Sequence, residues 1–360
     1  MLNNKDNMNK LLTAFMLLAI LTLFSCEGEQ NNETKSVENT EEQTAEVNVY
    51  SHRFYDSDKA LFAQFEEETG IKVNVKMDDA DRLIQLLQTE GENTPADLLI
   101  TTDIGRLYYA KELGLLQSVS SALLTERIPA HLRSKESDWF GLTKRARVIM
   151  YNPTKTEVSS LSTYEDLADP KWKGQISIRS SSNVYNKSLM ASLVAHLGEE
   201  EATQWAKGIV ANMATEPKGN DRDQIKNIVS GTGSIAITNT YYLGLLVNSD
   251  NPAEREAAQN VVPFFPNQDG RGAHINLSGA GVVKGADNAE NAVKLLEFLV
   301  SEKAQSLYVE ANYEYPVNPN VKPSELLSSW GDFVEDTLNL EEIGQRQKEA
   351  IQAFADAEWN

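Results

Sequence analysis

The sequence predicts an α/β protein with two lobes, each a mixed sheet flanked by helices, joined by two crossing strands. Short apolar strands alternate with amphipathic helices, which indicates right-handed βαβ units and a sheet covered by helices on both faces. Two long extended segments, 139–152 and 261–283, interrupt this alternation. A chain of 360 residues is long enough for two lobes with separate cores. Two crossings of this kind predict a cleft with a hinge.

The apolar pattern justifies each element in turn. Val47 and Val49 indicate a buried first strand, and Gly70 marks the end of the helix that follows it. We place lobe 1 at 46–143 plus about 265–310, and lobe 2 at about 144–264 plus 311–360. The other predicted elements are strands at 71–77, 97–101, 175–179 and 234–238, and helices at 83–87, 104–113, 185–196, 199–212, 221–230, 289–300 and after Ser324.

The N-terminal 25 residues predict a secretory signal peptide. Lys5 and Lys10 precede an apolar stretch that is too short to span a membrane comfortably. The segment Leu23-Phe24-Ser25-Cys26 resembles the lipobox of bacterial lipoproteins, although Phe24 replaces the usual smaller residue. Cys26, the only cysteine, is then the lipidated residue. Residues 26–45 are polar and acidic, which predicts a flexible tether on the periplasmic face of a bacterial membrane.

Composition and motifs exclude several classes of function. The net charge of -20 argues against binding nucleic acid, which needs a basic surface. The four histidines have no zinc-site spacing, and no G-x-S-x-G motif is present. We expect the serine run 180–182 to cap the helix that follows it. The glycines around 270–281 do not open a helix after a strand, so they do not form a dinucleotide-binding fingerprint. We therefore expect a binding protein and not an enzyme.

Tyrosines recur where predicted strands give way to helices. Tyr55 follows the first strand, Tyr185 follows the serine run 180–182, and Tyr241 and Tyr242 follow the strand at 234–238. The ends of strands in open α/β sheets are common ligand sites. Phenolate is a hard oxygen donor suited to a trivalent cation such as Fe3+. The residue pattern alone also fits tyrosines that stack on sugars or amines.

The sequence resembles the ferric-ion-binding receptors of bacterial ABC iron importers, whose two-lobed fold is that of periplasmic binding proteins. The likeness covers the chain from Glu46 to its end, through motifs that include VYSHRFYDSD, WFGLTKRARVIMYN, IRSSSNVYN, ITNTYYLG and NYEYPVNP. The resemblance implies that Tyr55, Tyr185, Tyr241 and Tyr242 supply phenolate ligands to Fe3+. It also implies a monomer that delivers iron to an ABC permease and its ATPase.

The first tyrosine motif departs from the family pattern. Many relatives carry a histidine immediately before the first ligand, where this chain has Phe54, and His52 is poorly placed to replace it. A small anion or water is therefore expected to complete the iron shell. Arg53, Arg145 and Arg147 are the cations expected to hold that anion or orient the phenolates.

An alternative hypothesis is that the protein is a receptor for a polyamine or a small anion. Polyamine sites place carboxylates opposite aromatic rings. The carboxylates near the first tyrosine motif are Asp56 and Asp58, which we expect to cap the next helix.

Overall fold

The computed structural model describes residues 45–53 and 55–360. The predicted signal peptide, Cys26, nearly all of the tether and Phe54 lie outside these residues. No helix in the described ranges has the length and apolar content needed to cross a membrane.

Strands and helices alternate through the described chain, much as the apolar pattern predicts. The strands are β1 (Glu46–Ser51), β2 (Lys72–Met77), β3 (Leu98–Thr101), β4 (Phe140–Tyr151), β5 (Ile176–Ser177), β6 (Ile235–Asn239), β7 (Val262–Phe264), β8 (Ile275–Val282) and β9 (Tyr315–Pro316). The helices are α1 (Asp56–Thr69), α2 (Ala80–Glu90), α3 (Ile104–Glu112), α4 (Ala122–Arg127), α5 (Val184–Leu197), α6 (Glu199–Asn212), α7 (Asp221–Ser230), α8 (Thr240–Val247), α9 (Pro252–Ala258), α10 (Ala289–Leu299), α11 (Glu302–Asn312), α12 (Glu325–Ser329), α13 (Leu340–Gln345) and α14 (Gln347–Asp356).

The strands pair in the order β2-β1-β3-β8-β4-β6-β5, with β7 and β9 also paired to β4. β1 pairs in parallel with β2 and β3, as expected for βαβ units. β8 then joins β3 and β4 in antiparallel pairing, so the sheet is mixed. Residues such as Val47, Val49 and Leu98 are fully buried, because helices cover this sheet.

β4 is the first crossing strand. Its residues 140–146 pair with β8, whereas residues 147–151 pair with β6 and residues 149–151 with β7. The chain returns alongside it, from β7 into β8. The two predicted crossings are therefore confirmed, although the boundaries proposed for the lobes remain a prediction.

Two expectations about helix caps are wrong. The serine run 180–182 does not cap α5, because the side chain of Asn183 accepts the hydrogen bond from the backbone N–H of Tyr185. Asp58 does not cap α1 either. It lies within the helix and pairs with Arg53. A buried arginine competes successfully for this carboxylate because a charged partner gives the stronger hydrogen bond.

Candidate metal centre

Four tyrosines occupy the starts of three helices. Tyr55 is the N-cap of α1, Tyr185 is the second residue of α5, and Tyr241 and Tyr242 are the second and third residues of α8. α8 follows β6 without an intervening loop. The strand therefore ends in a helical turn that lets both adjacent phenols lie on the same side of the chain.

Three of the phenols are in direct contact. The Tyr241 hydroxyl donates a hydrogen bond to the Tyr185 oxygen across 3.2 Å. The rings of Tyr241 and Tyr242 lie 4.2 Å apart, centroid to centroid, with 31° between their planes. The structure thus brings together two motifs that are 56 residues apart in the sequence.

The fourth tyrosine lies in the same buried neighbourhood. Burial raises the pKa of Tyr55, and the negative charge of Glu314 raises it further, while Arg53 and Arg145 lower it. Burial also raises the pKa of Tyr241 well above its usual value, with added contributions from Tyr185 and Tyr242. These phenols are therefore neutral at physiological pH until a strong Lewis acid displaces their protons.

Arg53 and Arg145 lie over the tyrosine rings. The Arg53 guanidinium carbon is 5.0 Å from the centre of the Tyr55 ring, and that of Arg145 is 5.4 Å from the centre of the Tyr185 ring. Glu314 links the two arginines, at 3.5 Å from Arg53 Nη2 and 3.7 Å from Arg145 Nη1. This shared carboxylate holds both cations beside the phenols.

Arg147 forms hydrogen bonds with residues next to the tyrosines and not with the four phenols themselves. Its Nη2 donates to the side-chain oxygen of Asn186 at 2.6 Å, and its Nη1 donates to that of Asn239 at 2.9 Å. Asn186 follows Tyr185, and Asn239 precedes α8. The same guanidinium forms an ion pair with Asp221 at 3.1 Å. Arg147 therefore connects the two turns that carry three of the tyrosines.

Besides Arg147, Asp221 forms an ion pair with Arg179, the fourth arginine near the tyrosines. Arg179 Nη1 lies 2.6 Å from Asp221, and its guanidinium carbon is 5.9 Å from the centre of the Tyr185 ring. Asp221 is fully buried, which requires charged partners of this kind.

The carboxylates around the tyrosines were not predicted from the sequence. Glu314 and Asp221 are both buried, and each pairs with two arginines. No local pattern marks them, because their partners are distant in sequence. His52 contacts Thr102, with Nδ1 and the threonine hydroxyl 3.0 Å apart. Within the described ranges, no group of three or more His, Cys, Asp or Glu side chains could hold a metal ion.

The fold and this site define an extracytoplasmic binding protein. The chain belongs to the bacterial extracellular solute-binding protein family, which it matches across residues 93–330. The resemblance to ferric-ion-binding receptors is confirmed by closer relatives. This chain is 48% identical to iron uptake protein A1 of Synechocystis over 347 residues, which cover 96% of each chain.

Solved structures agree with this assignment. The chain superimposes on FutA (IdiA) of Trichodesmium, in complex with iron and citrate ligands, with a TM-score of 0.86 and 49% identity. That match covers 88% of this chain and all of the other. The ferric binding protein of Campylobacter jejuni matches with a TM-score of 0.82 and 45% identity, over 87% of this chain and 100% of that one. The predicted two-lobed fold and the assignment as a binding protein and not an enzyme are thereby confirmed.

Proposed function

We propose that this protein captures Fe3+ outside the cytoplasmic membrane with Tyr55, Tyr185, Tyr241 and Tyr242, and delivers it to an ABC permease and its ATPase. The observation that carries the proposal is the 3.2 Å contact between the phenol oxygens of Tyr241 and Tyr185, with the Tyr242 ring tilted against that of Tyr241. The names of its relatives, an iron uptake protein and an iron-bound FutA, support the same ligand.

The electrostatics of the site favour a trivalent ion. Because the pKa values of these phenols are raised, a weak Lewis acid does not displace their protons, whereas Fe3+ does. Four phenolates around Fe3+ leave one net negative charge. Arg53 and Arg145 lie over two of the rings and stabilise that charge in a buried, low-dielectric setting.

A small anion or water completes the iron shell in this proposal. The Trichodesmium relative holds iron together with citrate. In the described part of this chain, Arg145 Nε is buried and has no hydrogen-bond partner, so it is a donor available to such a ligand. Arg53 Nη2 and Arg147 Nε are likewise buried without a hydrogen-bond partner there, while the other nitrogens of these two arginines donate to carboxylates, amides and a threonine hydroxyl.

A polyamine is a poorer ligand for this site. A polyamine needs free carboxylates opposite aromatic rings. The buried carboxylates Asp58, Asp221 and Glu314 are each paired with an arginine that lies beside the tyrosine motifs. The guanidinium groups around these phenols repel a ligand's ammonium group. They stabilise instead a bound complex, such as Fe3+ with four phenolates, whose net charge is negative.

We further propose that the protein acts as a monomer, anchored by lipid on Cys26 at the periplasmic face of the membrane. The supporting observations are the single cysteine at the end of an apolar N-terminal segment and the acidic tether that follows. A tethered receptor stays near its permease while its folded body remains free to meet iron.

The test is a ferric titration of the purified protein, followed by visible absorbance, with metal content measured independently. Phenolate-to-iron charge transfer should give a visible band that saturates at one Fe3+ per protein. A polyamine or anion receptor gives no such band. Absence of the band with correctly folded, metal-free protein would overturn the proposal.

A further inference from the structure

The turn formed by Asn312, Tyr313 and Glu314, hereafter the 312–314 turn, lies between the tyrosine-bearing elements. It begins at the last residue of α11 and lies within the motif NYEYPVNP. Tyr313 has a left-handed backbone conformation, with φ 56° and ψ 31°, which is uncommon for a residue other than glycine. Such a conformation persists only where its surroundings hold it in place.

The 312–314 turn is fixed to the segment that carries Tyr55. The Ser57 hydroxyl donates to the Asn312 side-chain oxygen at 2.9 Å, and Glu314 lies 3.5 Å from Arg53 Nη2. Arg53 and Ser57 are the residues two before and two after Tyr55. All four of these side chains are buried. Tyr313 is therefore held at a set position relative to Tyr55.

Tyr313 also lies against the helix that carries the tyrosine pair. A Cβ atom added at Gly244 would be 2.6 Å from both Cβ and Cγ of Tyr313, and 3.0 Å from Cδ2. Gly244 is in α8, two residues after Tyr242. Only a glycine permits this approach, because real Cβ atoms do not come so close to other carbon atoms.

We propose that the contact between Tyr313 and Gly244 sets how closely Tyr55 approaches Tyr241 and Tyr242 when the cleft closes. The contact thereby fixes the size of the oxygen cage around the ion. The bonds to Ser57 and Arg53 then assign the 312–314 turn to lobe 1, and not to lobe 2 as the sequence predicted. This inference rests on the proposed ferric function. Binding groups must be held to within about 0.5 Å of their productive geometry. A methyl group at residue 244 separates the two elements by more than this, so the phenols can no longer all reach the ion.

Glycine–tyrosine packing also occurs away from the site, which provides a matched control. A Cβ added at Gly344 in α13 would lie 2.4 Å from Cβ and Cγ of Tyr108 in α3. That contact joins two packed helices and is part of the fold itself. Gly344→Ala should therefore lower the unfolding midpoint of the iron-free protein.

The experiment compares Gly244→Ala, the double variant Gly244→Ala/Tyr313→Gly, Gly344→Ala and the parent. Ferric affinity is measured by competition with a chelator, and the unfolding midpoint is measured without iron. We expect Gly244→Ala to weaken Fe3+ binding at least tenfold with an unchanged iron-free midpoint. Removal of the whole Tyr313 side chain, including its Cβ, should then recover most of the loss, because Cβ and Cγ are the atoms that the new methyl group meets.

Three results would overturn this inference. The first is parental ferric affinity in Gly244→Ala, and the second is no recovery of affinity in the double variant. The third is a fall in the iron-free unfolding midpoint of Gly244→Ala as large as that of Gly344→Ala. The last result would mean that the contact belongs to the fold and not to closure. If the parent itself gives no ferric band, the proposed function fails instead.

Discussion

The Tyr241 hydroxyl donates a hydrogen bond to the Tyr185 oxygen, so the starts of α8 and α5 meet at their phenols. Arg147 joins the same two turns by donating hydrogen bonds to the side chains of Asn239 and Asn186. The positions of three candidate ligands are therefore set by the fold before any ion binds, which reduces the ordering cost of binding.

Replacement of Tyr241 or Tyr242 by Phe should preserve folding and weaken ferric binding about 100-fold or more. The ring is kept and only the donor oxygen is lost, which should exceed the 10–100-fold effect typical of groups that merely support a ligand. Chelator competition measures the affinity, and Tyr109→Phe is the control because Tyr109 is 52% exposed. Parental affinity in both site variants would show that this pair does not bind iron.

Arg147→Lys should weaken ferric binding about 10–100-fold, the range for groups that position metal ligands. A lysine ammonium keeps the charge but cannot reach Asn186, Asn239 and Asp221 together, as the planar guanidinium does. The charge-transfer band should also shift, because the phenolates lose their fixed arrangement.

Arg271→Lys is the matched control for this variant, since Arg271 forms a 2.5 Å ion pair with Glu165. An Arg147→Lys protein with parental affinity and an unshifted band would contradict the positioning role.

The pair of His196 and Asp336 should make stability depend on pH. Burial raises the pKa of Asp336, but the hydrogen bond from His196 at 2.7 Å, the backbone N–H of Leu338 and the nearby histidines together lower it on balance. A carboxyl group with a lowered pKa stabilises the fold above its unfolded pKa of about 3.9, and that contribution is lost as the pH falls toward the folded value. The difference in unfolding free energy between the parent and Asp336→Asn should therefore shrink below about pH 4. Urea unfolding from pH 3 to 7 measures it, and a constant difference would contradict this account.

Local pattern was sufficient to predict most of the fold and the location of the candidate tyrosines, whereas their role as ligands was implied by the resemblance to ferric-ion-binding receptors. Tyr55, Tyr241 and Tyr242 follow apolar strands directly, so their location at strand-to-helix junctions could be deduced from periodicity. The helix α11 went unpredicted although Ser301, whose hydroxyl accepts from the backbone N–H of Ala304, is a usable cap signal.

The charged partners of the site could not be found in this way. Glu314 pairs with Arg53, and Asp221 pairs with Arg147, across long separations in sequence. Such pairs depend on how the crossing strands bring distant segments together. Periodicity carries no information about that arrangement, and Asp58 was consequently misassigned as a helix cap.

The pH dependence of ferric affinity tests the four-phenol site most directly. Burial raises the pKa values of Tyr55, Tyr241 and Tyr242, so these phenols are protonated before iron binds. Each must release its proton on binding, so affinity should rise steeply with pH. Carboxylate or water ligands would give a shallower slope, because carboxylates are already ionised near neutrality.

The measurement follows Fe3+ binding from mildly acid to mildly alkaline pH, with a competing chelator that suppresses iron hydrolysis. The affinity is corrected for protonation of that chelator. The account predicts release of several protons per iron and a steep loss of affinity on acidification. A corrected affinity that is flat across this range would contradict the four-phenol site.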